Sequence, residues 1–193
     1  MEAKQIHIHT DPKLDGLIDA CLQNDSVAQY KLYNLYSKAM LNVAFRICNN
    51  KEQAEDLLQE SFISAFKNLS SFKRSSTFGS WLKRIVINTS LNYLRAKKME
   101  FVELENNEGS LVEEETDYSD QNYLVGQVKN GITQLPTGYR LVLSLYLMEG
   151  YDHKEIAEVM DISESTSKSQ YNRAKRKLRE LIKTESYDTG YAG

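Results

Sequence analysis

Residues 152–181 read DHKEIAEVMDISESTSKSQYNRAKRKLREL. The pattern predicts a short helix over 153–160, a break at Asp161-Ile162-Ser163, and a longer basic helix over 164–183. Ser163 supplies the hydroxyl that a helix start favours. At about 100° per residue, Tyr171, Ala174, Leu178 and Leu181 share one face. Lys168, Ser169, Asn172, Arg173 and Arg176 share the opposite face, with Ser165 beside them. Short helix, tight turn and longer helix are the layout of a helix-turn-helix, whose second helix enters the major groove. The first face suits a core; the second suits phosphates and base edges. A basic helix alone would serve equally as a solvated face complementing its own dipole. The short helix and turn ahead of it favour DNA.

Working outward, further helices are predicted at 121–134 and 137–149, with breaks at Leu135-Pro136 and Gly150. Before them, residues 99–121 carry nine acids and no Lys or Arg, with little periodicity, and read as a solvated linker. Before that, residues 70–98 carry seven Lys or Arg and no acid. The chain as a whole has formal charge −3, so the charge is segregated: two lobes with basic surfaces, joined by an acidic tether.

The first lobe is also helical. Leu32, Leu35, Tyr36, Ala39, Val43, Ala44 and Ile47 recur at helical spacing, as do Ala54, Leu57, Leu58, Ser61, Phe62, Ala65, Phe66 and Leu69 after an Asn-Asn turn. A third helix covers about 77–97, with Phe78, Leu82, Ile85, Val86, Thr89 and Tyr93 inward. Arg84, Asn88, Asn92 and Arg95 form one polar stripe on it, and Trp81 falls at the border of the two faces. The loop FKRSST, residues 72–77, precedes it. An aromatic ring, hydroxyls, amides and arginines could receive an unstacked base, stacking being worth about 1–3 kcal/mol. Phe72 reads equally well as a core anchor, and the stripe as ordinary surface polarity.

Composition narrows the class. The chain has 193 residues, 41% hydrophobic and 26% charged, with nine Gly and two Pro, so it fits one medium or two small domains of an all-α protein. No apolar run approaches the length of a membrane span, and MEAKQIHIHTDPKLD lacks the pattern of a signal peptide. Cys21 and Cys48 lie in apolar helical patterns and read as reduced core thiols of a cytoplasmic protein. His7, His9 and His153 are scattered, without a carboxylate or Cys cluster at metal spacing. There is no phosphate-binding Gly loop and no nucleophile elbow. A non-catalytic protein without cofactor or metal is expected.

From about Leu14 to Leu181 the chain resembles the sigma-70 family of bacterial RNA polymerase initiation factors, in its extracytoplasmic-function (ECF, group 4) subfamily. NNKEQAEDLLQESFISAFKNLSSF is similar to that family's core-binding segment. FKRSSTFGSWLKRIVINTSLNYLRAKK is similar to the segment that reads and opens the −10 element, and LPTGYRLVLSLYLMEGYDHKEIAEVMDISESTSKSQYNRAKRKLREL to the −35-reading domain. The resemblance implies a flexible N-terminus over 1–12, a sigma2-like domain over 13–98, the linker over 99–121, a sigma4-like domain over 122–183 and a disordered tail over 184–193. It implies that Phe72, Lys73, Arg74, Ser75, Ser76 and Thr77 surround a flipped −10 base, that Asn88 lines its pocket, and that Arg84, Asn92 and Arg95 lie near the strand. It places Ser165, Lys168, Ser169, Asn172, Arg173 and Arg176 at the −35 element. Glu55, Asp56, Gln59 and Glu60 match the surface that docks on the β′ coiled coil, while the second lobe meets the β flap. Promoter DNA, core polymerase and an anti-sigma factor are the implied partners, and the linker's polyanion mimics RNA in the polymerase channels or serves as a solubilising tether.

Three departures stand out. Ser167 replaces a usual buried Val, which predicts a less well packed helix. Gln170 stands where a base is common, and KRSST lacks a frequent acid. Two other functions compete: a decoy that titrates an anti-sigma protein without reading promoters, and an ordinary duplex-binding regulator, which would not need the first lobe.

Overall fold

The computed structural model describes residues 11–102 and 120–188, with side chains over 11–97 and 125–182. Among the described residues there are eight α-helices, one 3-10 turn and no strand. The chain divides into two compact units between Ala96 and Lys97.

The first unit contains α1 (Pro12–Leu22), α2 (Ser26–Cys48), α3 (Lys51–Lys67), a 3-10 turn (Leu69–Ser71) and the start of α4 (Phe78–Val102). Periodicity did not reveal α1, although its start signal is present: the Asp11 carboxylate accepts from the Lys13 amide, and Pro12 follows it. The Asn-Asn turn divides its work. Asn49 ends α2 in the left-handed region at φ 55°, and Asn50 caps α3 by accepting from the Gln53 amide at 3.0 Å. α2 packs against α1 and α3, burying Leu32, Ala44, Ile47, Ala54, Leu57, Leu58 and Phe62. Ser61, placed among these apolar positions by its spacing, is fully buried and donates to the Leu57 carbonyl at 2.6 Å. In α4, Phe78, Leu82 and Val86 are buried as expected, whereas Ile85, Thr89 and Tyr93 are only half-buried and Ile87, Ser90 and Leu91 are buried instead, so the covered face is turned from the one read from the sequence.

The second unit contains α5 (Asp120–Thr133), α6 (Thr137–Leu147), α7 (His153–Met160) and α8 (Glu164–Asp188). α5, α6 and α7 all pack on α8, around Ile132, Leu135, Leu143 and Ala174, with Tyr139, Tyr171, Leu178 and Leu181 closing over them. Three expected boundaries shift. Residues 99–102 continue α4, residues 120 and 121 begin α5, and residues 184–188 extend α8 where a tail was expected. None of these short segments contains Gly or Pro, so each helix runs on. The rest of the acidic linker, 103–119, lies outside the described residues, as do 1–10 and 189–193.

Gly131 marks a close approach of α5 to α8: a Cβ there would stand 2.7 Å from Leu178 Cδ1. Gly131→Val overpacks this crossing. It should lower stability by about 1–3 kcal/mol, read as a fall in the thermal midpoint of the second unit. An unchanged midpoint would mean that Leu178 gives way at no cost.

Candidate nucleic-acid interface

α7 and α8 realise the helix-turn-helix geometry. Asp152 caps α7 in a reciprocal capping box with Glu155, and Asp161 turns the chain at φ 55°. Ser163 Oγ then accepts from the Thr166 amide at 3.0 Å, fixing the start of α8. Ser165, Lys168, Ser169, Asn172, Arg173 and Arg176 all lie exposed along α8, on the face the periodicity assigned them. They are not equivalent. Lys168 Nζ is 2.6 Å from Glu164 Oε1, and this partner holds the Glu164 carboxyl below the usual carboxylate range. Ser169 Oγ donates to the Thr166 carbonyl at 2.9 Å. Asn172, Arg173 and Arg176 carry the outward chemistry of the following two turns.

The Ser167 departure has a compensating partner. Ser167 is fully buried, and its Oγ lies 2.9 Å from His153 Nδ1 on α7. The imidazole stacks on Tyr146, with centroids 4.7 Å apart and planes at 22°, and meets Tyr171 nearly edge-on at 5.6 Å. A hydroxyl where an apolar methyl is usual therefore exchanges packing for a polar pin between the two helices of the motif. Gln170 is turned inward too. A Cβ on Gly138, in the first turn of α6, would stand 3.3 Å from its Oε1, so Gln170 contributes to the α6–α8 contact rather than to the outer face.

In the first unit, α4 presents Arg84, Asn88, Asn92 and Arg95, all exposed, along one stripe. Arg95 Nη1 donates to Asn92 Oδ1 at 2.7 Å, tying the lower end of the stripe together. The preceding loop departs from its expected role at two positions. Phe72 is only 9% exposed, its ring edge-on to Phe78 at 5.6 Å and tilted on Trp81 at 5.3 Å. Of its two readings, the core anchor is the one adopted: the apolar ring gains more from the aromatic cluster than from water. Trp81 is the half-buried lid of this cluster, at the edge of the core. Arg74 is turned toward α1, where its guanidinium pairs with Asp19 and lies 3.8 Å from Asp15. Thr77 caps α4, its Oγ1 accepting from the Ser80 amide at 3.2 Å. Lys73 and Ser75 are exposed and Ser76 half-buried.

Glu55, Asp56, Gln59 and Glu60 lie exposed together on the outer face of α3. Ile63, one turn further on and 55% exposed, adds an apolar centre that the acidic pattern did not signal. Among the described residues no group of His, Cys, Asp or Glu could hold a metal ion, and no helix is long and apolar enough to cross a membrane.

A two-unit helical chain with a helix-turn-helix in its second unit and a polar helix stripe in its first defines a class of DNA-binding protein, and sequence comparison makes it specific. Residues 32–99 match Sigma-70 region 2 and residues 126–178 match Sigma-70, region 4. The chain is 30% identical over 152 residues to the ECF RNA polymerase sigma factor SigM of Bacillus subtilis, covering 78% of this chain and 93% of the relative. It is 27% identical to SigW of the same organism, covering 83% and 92%. Among solved structures it is similar to the sigma factor RpoE of Bartonella quintana, determined in complex with the anti-sigma factor NepR, with a TM-score of 0.57 at 22% identity over 80% of this chain and 96% of that one. The chain belongs to the ECF branch of the sigma-70 family.

The His153–Ser167 contact is testable by a double-mutant cycle. Ser167→Ala and His153→Ala should each cost about 1 kcal/mol, and the double variant less than their sum. Strict additivity in chemical denaturation would remove the polar pin.

Proposed function

We propose that the protein acts as the promoter-reading subunit of RNA polymerase, recognising −35 and −10 elements and helping to open the latter. The observation that carries the reading is a basic or polar nucleic-acid face on each of two separate units: Arg84, Asn88, Asn92 and Arg95 on α4, and Asn172, Arg173 and Arg176 on α8. A duplex-binding regulator needs only the second. On α8, Asn172, Arg173 and Arg176 contact base edges or phosphates of the −35 element, together with Ser165, Lys168 and Ser169 on the preceding turns. On α4, Asn88 faces the opened −10 strand, while Lys73, Ser75, Ser76 and Thr77 form the loop beside it, carried on the Phe72 anchor. The acids Glu55, Asp56 and Glu60, with Gln59 and Ile63 on α3, dock on the β′ coiled coil, and the second unit meets the β flap. The protein itself is non-catalytic and works in the cytoplasm. Its activity is held in check by an anti-sigma protein, as the complex of the Bartonella quintana relative suggests. The retained polar faces favour this reading over a decoy.

Reconstitution with core polymerase tests it. The wild-type protein should direct specific initiation, and Asn88→Ala and Arg173→Ala should each cost about 1–3 kcal/mol in promoter binding. Arg176→Ala should lower the log–log salt slope by about 1. Absence of both core binding and initiation would refute the role, and anti-sigma capture with indifference to both base-reading variants would leave the decoy.

A further inference from the structure

Arg74 was expected at the DNA, yet the fold gives it another occupation. Its guanidinium pairs with Asp19 and approaches Asp15 at 3.8 Å, both on α1, a helix 55 or more residues away in sequence. Asp15 and Asp19 are four residues apart, so on an α-helix they are neighbours whose like charges repel unless a cation stands between them. Arg74 is that cation. Its backbone sits in the left-handed region at φ 56°, a conformation uncommon for side chains other than those of Asn, Asp and His. The loop is thus fixed at three points: the buried rings of Phe72 and Phe78 at its ends and the α1 carboxylates at its middle. An arginine already facing two carboxylates adds little net attraction for a phosphate, so within the loop strand contact falls to the exposed Lys73.

We propose that Asp15 and Asp19 are positioning residues for base reading: through Arg74 they hold the 73–77 loop in the shape that discriminates the unstacked base. This rests on the promoter-reading role above. The partners are partly exposed, with side chains 38%, 26% and 61% accessible for Arg74, Asp15 and Asp19. The contact therefore contributes little to global stability, and its effect lies in loop geometry.

The test uses reconstituted holoenzyme and fork-junction promoter DNA carrying each of the four bases at the unstacked −10 position. The Asp15→Asn/Asp19→Asn double variant should lose discrimination among the four by about fivefold, the size of a coupling between contacting side chains, with its thermal midpoint and −35 duplex binding unchanged. Arg74→Ala should lose the same amount, and adding it to the double variant should lose no more. The charge-swapped pair Arg74→Asp with Asp19→Arg should recover part of the loss. A uniform rise in affinity for all four templates in the double variant would overturn the proposal, showing that the acids merely compete with phosphate for Arg74. Unchanged discrimination in the double variant, beside a discriminating wild type, would overturn it alone. A wild type that holds all four templates equally would refute the reading of the −10 base on which the proposal rests.

Discussion

The packing of Phe72 against Phe78 and Trp81 is the contact on which the first unit's exposed polar stripe depends. Only five residues separate the two phenylalanines, and both rings are buried. The intervening chain must therefore leave the core, turn and return within a few residues. That short excursion accounts for the left-handed backbone at Arg74 and for the use of Thr77 as a helix cap. The same constraint sets where α4 begins, and hence which residues of α4 face outward. Shifting the start of α4 by one residue would rotate the Arg84–Asn88–Asn92–Arg95 stripe by about 100°.

Both units solve one problem in the same way. A helix with a polar or cationic outer face must bury enough apolar surface on the opposite side to hold its place. α4 does so with a broad covered face, from Phe78 through Ile87 to Leu91. α8 has far fewer large apolar residues: its only fully buried positions are Ser167 and Ala174, among the described side chains. It is held instead by tyrosines and leucines at its margins and by the contact of Ser167 with His153. Small side chains at the centre let α5, α6 and α7 approach α8 closely, as Gly131 and Gly138 do from the other side.

The helices other than α1, and the two outward faces, were legible because they rest on local periodicity and on caps, which act within a few residues. Ser163, Asn50 and the break at Asp161 are of this kind. Phe72 was ambiguous because an aromatic in a polar loop carries the same local signal whether it points in or out. The Arg74 pairing with α1 was not legible at all: no pattern links positions so far apart, and α1 itself carried only a cap and a proline as signals. The inward turn of Gln170 follows in hindsight from its register, since Ser167, Gln170, Tyr171 and Ala174 recur at helical spacing.

Ser167 shows why a departure from a family pattern cannot be weighed one residue at a time. Taken alone, a hydroxyl in a buried position is a cost, because it gives up water without filling the volume of a valine. Here the cost is offset by a histidine whose ring is already held by Tyr146 and Tyr171. His153 has independent support from stacking, and Ser167 needs only to present an oxygen at the right distance. The pair ties α7 to α8 directionally, as an apolar contact would not, since a hydrogen bond fixes both distance and angle. A substitution that looks like a loss of packing thus becomes a directional constraint between α7 and α8, the helix that carries Asn172 and Arg173 on its exposed face.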